Sequence, residues 1–73
     1  MVKDKVTKDD LQKFAPGDQK VFTLPTWEKA KSAASFAYQA KNRKETYGWM
    51  FKALIGDPIE GSMQRTVTIT RIS

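Results

Sequence analysis

Five alanines in the middle of the chain limit most strongly how it can fold. They stand at helical spacing and would share one helix face: Ala30, Ala33, Ala34, Ala37 and Ala40. Residues 27–44 contain no Gly, no Pro and no β-branched residue, and alanine has the highest helix propensity. We therefore predict one long helix over about residues 27–44, with Thr26 as its N-cap.

A helix face made of small side chains needs bulky side chains on the surface opposite. Three β-prone segments can supply them: residues 20–24, 47–55 and 65–72. The second and third are predicted to pair as an antiparallel hairpin. The side chains expected to pack against the alanines are Phe22, Leu24, Tyr47, Trp49, Phe51, Val67 and Ile69.

The N-terminal part of the chain predicts a second, short helix over residues 7–14. Thr7 stands at its N-cap and Asp10 at the capping-box position. Residues 1–6 are expected to be flexible. The fold class is thus α+β within one small domain (residues 1–73, core 20–73): a short helix, then β-α-β-β, with the Ala-rich helix on a three-stranded sheet.

The chain has 73 residues and contains neither Cys nor His. Disulfides, thiol nucleophiles, zinc sites of the usual kind and the commonest general base are therefore excluded, and we expect no enzyme, cofactor or metal. Stability must come from the aromatic residues or from association into a homodimer. No secretion signal or apolar run of membrane-spanning length is evident, so the expected location is the cytoplasm, without a membrane partner.

The charge is unevenly distributed along the chain. Thirteen Lys and Arg against eight Asp and Glu give a net charge of +5. Residues 1–19 carry four of each sign, whereas residues 29–44 carry five cations and no carboxylate. A helix face of one sign is typical of a surface that contacts phosphates. It is equally typical of a solvated face, since the helix dipole favours cations near the C-terminus.

The basic face leads to a hypothesis of non-catalytic nucleic-acid binding, to DNA more than to RNA. Four residues would contact phosphates: Lys29, Lys31, Arg43 and Lys44. Three would form hydrogen bonds to backbone or bases: Ser32, Ser35 and Gln39. Lys52, Arg65 and Arg71 would extend the contact from the sheet. The alternative is a protein-interaction module anchored by Trp27, Tyr38 and Met50.

Three segments carry a resemblance: residues 21–25 (VFTLP), 31–35 (KSAAS) and 67–72 (VTITRI). Together they resemble, in general layout over residues 20–73, small accessory proteins of bacteriophages and prophages. The resemblance implies a phage or mobile-element origin and no particular functional residue. The content of one helix and three strands is also similar to the DNA-reading arms of phage integrases and to AP2-type domains, although there the helix follows all three strands.

Overall fold

Two helices and three strands make up the chain in the computed structural model, which describes residues 3–73. The order is α1 (Lys8–Gln12), β1 (Gln19–Leu24), α2 (Trp27–Tyr38), a 3-10 turn (Ala40–Asn42), β2 (Phe51–Ile55) and β3 (Arg65–Arg71). This arrangement confirms the α+β class and the β-α-β-β plan. The part of the flexibility prediction that concerns Met1 and Val2 lies outside the described residues.

The last strand lies at the centre of the sheet. The strand order is β1-β3-β2, and both pairings are antiparallel, with Phe22 opposite Val67 and Ala53 opposite Ile69. The predicted pairing of the second and third strands is confirmed. Helix α2 connects β1 to β2, so it packs across one face of the sheet and leaves the other without a helix.

Small helix residues meet large sheet residues in the core, as the alanine spacing predicts. All five alanines are buried, and the sheet contributes Leu24, Val67 and Ile69, each fully buried. Phe14, which follows α1, packs edge-on against Phe51 with ring centroids 5.4 Å apart. The N-caps are also confirmed, because Thr26 accepts from the Lys29 amide at 3.2 Å and Thr7 forms a full capping box with Asp10.

Helix α2 is shorter than predicted and ends at Tyr38 instead of near residue 44. Later residues supply other hydrogen-bond partners for carbonyls beyond this end. The buried Thr46 hydroxyl donates to the Ala40 carbonyl at 2.7 Å, and the Gly48 amide donates to the Lys41 carbonyl at 3.1 Å. These bonds satisfy carbonyls that a longer helix would have used, and Arg43 adopts an extended conformation after the 3-10 turn.

Strand β2 begins at Phe51, later than predicted, and the placement of Tyr47 in the core is wrong. Tyr47 is 79% exposed. It precedes Gly48, whose φ of 81° belongs to a turn, and such a turn cannot continue a strand with regular alternation. Trp49 is only partly buried, against the edge of the core.

Residues 3–6 join the folded domain, although the sequence led us to expect flexibility there. The Lys3 amide donates to the Thr23 carbonyl at 2.7 Å, at the free edge of β1. The Val6 side chain is only 4% exposed and belongs to the core. This segment therefore lies beside α2 and forms part of the surface described next.

Candidate nucleic-acid interface

Most of the cationic side chains form no ion pair within residues 3–73. Three of the thirteen form ion pairs within residues 3–73: Lys3 with Asp10 at 3.3 Å, Lys8 with Glu45 at 3.2 Å and Lys29 with Asp4 at 3.4 Å. The other ten have no such partner in this part of the chain. The surface therefore carries cations that are not neutralised locally, and anions in solution can reach them.

A groove of about 440 Å³ separates residues 5–8 from α2. Its described lining consists of Lys5, Val6, Thr7, Lys8, Ser32, Ala33, Phe36 and Arg43. Three of these residues are cations and none is a carboxylate. Val6 and Ala33 are buried, so the floor is apolar, while the charged groups belong to more exposed side chains. A groove of this kind suits a ligand that combines an apolar body with negative charge.

Arg43 is held in place within this groove. Its Nη1 atom donates to the Phe36 carbonyl at 2.8 Å, and its Cζ atom lies 3.7 Å from the centroid of the Phe36 ring. These two contacts hold the guanidinium in place, and within residues 3–73 its other N–H groups have no side-chain or backbone acceptor. Because an ordered guanidinium loses little entropy on binding, Arg43 is well prepared to bind a phosphate or carboxylate.

Lys8 is less free than Arg43, because it is paired with Glu45. The Glu45 pKa is lowered by a hydrogen bond from its own backbone amide and then by the neighbouring Lys8. Glu45 is therefore ionised at neutral pH. The pair is exposed, so an incoming phosphate can replace the carboxylate at little cost.

Structure separates the helix lysines that the sequence analysis had combined. Lys29 and Lys31 are two positions apart, which places them about 200° apart around the helix axis. Lys29 lies on the flank that faces Asp4, whereas the Lys31 ammonium lies 6.0 Å from the Trp27 ring centroid. Of the residues predicted for binding on the helix over residues 27–44, Ser32 and Arg43 line the groove, and Arg43 lies beyond the observed end of α2.

Three further predicted residues lie near the end of α2 or after it: Ser35, Gln39 and Lys44. Ser35 is exposed, and its hydroxyl accepts from Gln39 Nε2 at 3.4 Å. Lys44 follows the 3-10 turn and is exposed, without a carboxylate partner among residues 3–73. These side chains are available to ligands but are not gathered around a cavity.

The predicted residues of the sheet lie in three separate places. Arg65 stacks over the half-exposed Trp27, with its Cζ atom 4.9 Å from the ring centroid. Lys52 is exposed on the open sheet face, in register with Thr70. Arg71 stacks 3.6 Å from the centroid of Trp49 and donates from Nη1 to the Phe14 carbonyl at 2.8 Å, so its guanidinium is engaged by the fold itself.

The sequence analysis did not include Lys5 and Lys8 in the site. Residues 1–19 carry four cations and four carboxylates, so their net charge is zero. Lys5 and Lys8 therefore do not form a basic cluster in the sequence. This segment is placed beside α2 by the backbone bond from Lys3 to Thr23, the burial of Val6 and the ion pair between Asp4 and Lys29. The unpaired cations Lys5 and Arg43 thus come together from distant parts of the chain.

Comparison of the chain with known protein families, curated proteins and solved structures finds no match. Residues 3–73 contain no cluster of three or more carboxylates that could hold a metal ion. Within the same residues, neither helix has the length and apolar character that crossing a bilayer requires.

Proposed function

We propose that this protein binds nucleic acid, DNA in the first instance, without performing chemistry on it. The observation that carries the proposal is the groove between residues 5–8 and α2, where Lys5, Lys8 and Arg43 meet with no carboxylate in the described lining. Phosphate neutralisation by Lys and Arg provides most of the affinity in sequence-independent binding.

The groove residues would contact the nucleic acid in different ways. Lys5 and Lys8 would act as mobile point charges, while Arg43 would form directed hydrogen bonds from a fixed plane. The Ser32 hydroxyl on α2 could donate to a phosphate oxygen. Lys29 lies on the same flank of the helix and would add long-range attraction once Asp4 is displaced.

A titration of a fluorescently labelled oligonucleotide at several salt concentrations tests this proposal. Three phosphate contacts should produce a slope of log K against log salt of about −2 to −3. Lys5→Glu should weaken binding about tenfold at low salt and should reduce the slope by about one. Lys5 has no ion pair in the described chain, so the change should leave stability nearly unaltered.

Lys13→Glu is the matched control, since Lys13 is also exposed and unpaired but does not line the groove. It changes the net charge equally and should alter affinity less than threefold. If both variants weaken binding to the same extent, the groove is not the site and only net charge matters. Absence of binding at low salt would refute the proposal as a whole.

The open sheet face favours protein interaction as a second candidate function. Val21 and Leu54 are 61% and 57% exposed there, and Ile72 and Met50 nearby are also at least half exposed. Exposed apolar patches on small proteins often mark interfaces. Of the three anchors that we predicted, Met50 lies near this face. Trp27 is instead covered in part by Arg65, and the Tyr38 hydroxyl donates to the Ala53 carbonyl. A scattering mass twice that of the monomer would indicate a homodimer.

A further inference from the structure

We infer that the groove receives one unstacked nucleotide, so that the protein prefers single-stranded to double-stranded nucleic acid. This inference rests on the proposed function and specifies its substrate class. The base would lie on the apolar floor formed by Val6, Ala33 and Phe36. The phosphates on either side would meet Lys5, Lys8 and Arg43.

The size and lining of the groove support a nucleotide. A volume of about 440 Å³ lies within the range of sites that hold small molecules, about 300–1,000 Å³. A surface that contacts only phosphates needs cations but no concave apolar floor. Duplex bases are paired and stacked inside the helix, whereas a single strand can turn a base outward into a groove.

Charge complementarity favours a nucleic acid over an uncharged apolar ligand. All three charged groups in the described lining are cations, and each nucleotide brings one phosphate. The Arg43 guanidinium, whose Cζ atom lies 3.7 Å from the Phe36 ring centroid, is one of the planar groups on which bases stack in single-strand complexes. A base and a phosphate can therefore both find a partner in the same groove.

Both walls of the groove are formed before any ligand arrives. On one side, Asp10 Oδ2 accepts from the Thr7 amide at 2.8 Å, and the Val6 side chain is buried. On the other side, Ala33 and Phe36 belong to the regular helix α2. Because the walls are ordered, little entropy is lost when a base enters.

The test compares three labelled 12-residue ligands at one low salt concentration: a thymine strand, a duplex, and a strand of equal length without bases. We expect the thymine strand to bind about tenfold more tightly than either of the others, since a stacked base contributes that much in known single-strand complexes. Equal affinity for all three would overturn the inference and leave the proposed function standing. Absence of binding to any of them would overturn the proposed function itself.

Ser32→Leu tests the location of the site, because it fills the groove without changing any charge. It should lower affinity for the thymine strand about tenfold, to that of the strand without bases. It should lower duplex affinity less, because the duplex loses only the Ser32 contact to a phosphate. Ser35→Leu is the matched control: Ser35 is exposed one turn along α2 and does not line the groove. If Ser32→Leu binds the thymine strand as tightly as Ser35→Leu does, the base does not enter this groove. The comparison of ligands on the unaltered protein stands independently, should a variant fail to fold.

Discussion

Arg71→Lys tests whether Arg71 mainly stabilises the fold or, as the sequence predicts, contacts nucleic acid. The change keeps the charge, so any contact that depends only on charge survives. It removes the planar guanidinium that stacks 3.6 Å from the Trp49 ring centroid and donates to the Phe14 carbonyl at 2.8 Å. Arg71 lies in β3, Phe14 follows α1 and Trp49 precedes β2. The two contacts therefore join parts of the chain that are far apart in sequence.

The expected loss of stability follows from these two contacts. A hydrogen bond from a charged donor contributes about 1.5–3 kcal/mol. A cation over an aromatic ring contributes about 0.5–1 kcal/mol at an exposed site, and lysine would retain part of that. We therefore expect Arg71→Lys to lower the free energy of unfolding by about 2 kcal/mol, which corresponds to a fall in Tm of about 8–16 °C in a domain of this size.

Urea and thermal unfolding of the two proteins, followed by circular dichroism, measure this difference. Arg65→Lys is the control, because Arg65 stacks more loosely, 4.9 Å from the Trp27 centroid, and we expect a loss below about 1 kcal/mol. Oligonucleotide affinity should change little in Arg71→Lys, measured below its Tm. Unchanged stability together with a large loss of affinity would show that Arg71 is a binding residue and that the reasoning above is wrong.

Two further predictions concern stability. Gly56→Ala should destabilise the protein by about 1–3 kcal/mol in urea unfolding, because the new methyl group would clash with Thr66 Oγ1. Adding Thr66→Ala to the same chain should remove this loss of stability. If the double variant is not rescued, the clash is not the cause. Burial raises the Asp10 pKa, but hydrogen bonds from the Thr7 amide and from Lys3 outweigh it and hold the pKa below the ordinary 3.8. Asp10 thus stabilises the protein above the unfolded pKa, and this stabilisation is lost as the pH falls through the folded pKa. The stability gap between the protein and Asp10→Asn should therefore be constant above about pH 5 and shrink as the pH falls further, and a constant gap throughout would refute this.

The groove changes the physical basis of the binding hypothesis. The sequence analysis relied on one helix face carrying cations of one sign. In the structure Lys29 and Lys31 lie on opposite flanks, and Arg43 has left the helix. Cations from the N-terminal segment and from the loop after α2 meet instead, around an apolar floor, which is why a base and not only a phosphate becomes a plausible ligand.

Local sequence determined which segments became helices and strands in this protein. The alanine spacing, the caps at Thr7 and Thr26, and the alternation in β3 all act within a few residues, so they could be interpreted without knowing what lies nearby. The antiparallel pairing of β2 with β3 and the burial of the alanine face followed from the same periodicities.

Tertiary structure decided where the elements end and which charges meet. Helix α2 ends where Arg43 Nη1 takes the Phe36 carbonyl, and Thr46 and Gly48 take the carbonyls of Ala40 and Lys41 beyond that end. Lys5 and Arg43 share a groove because Val6 is buried beside α2. Each of these outcomes depends on a contact between residues that come together only in the folded chain, and the periodicity of a single segment contains no information about such contacts.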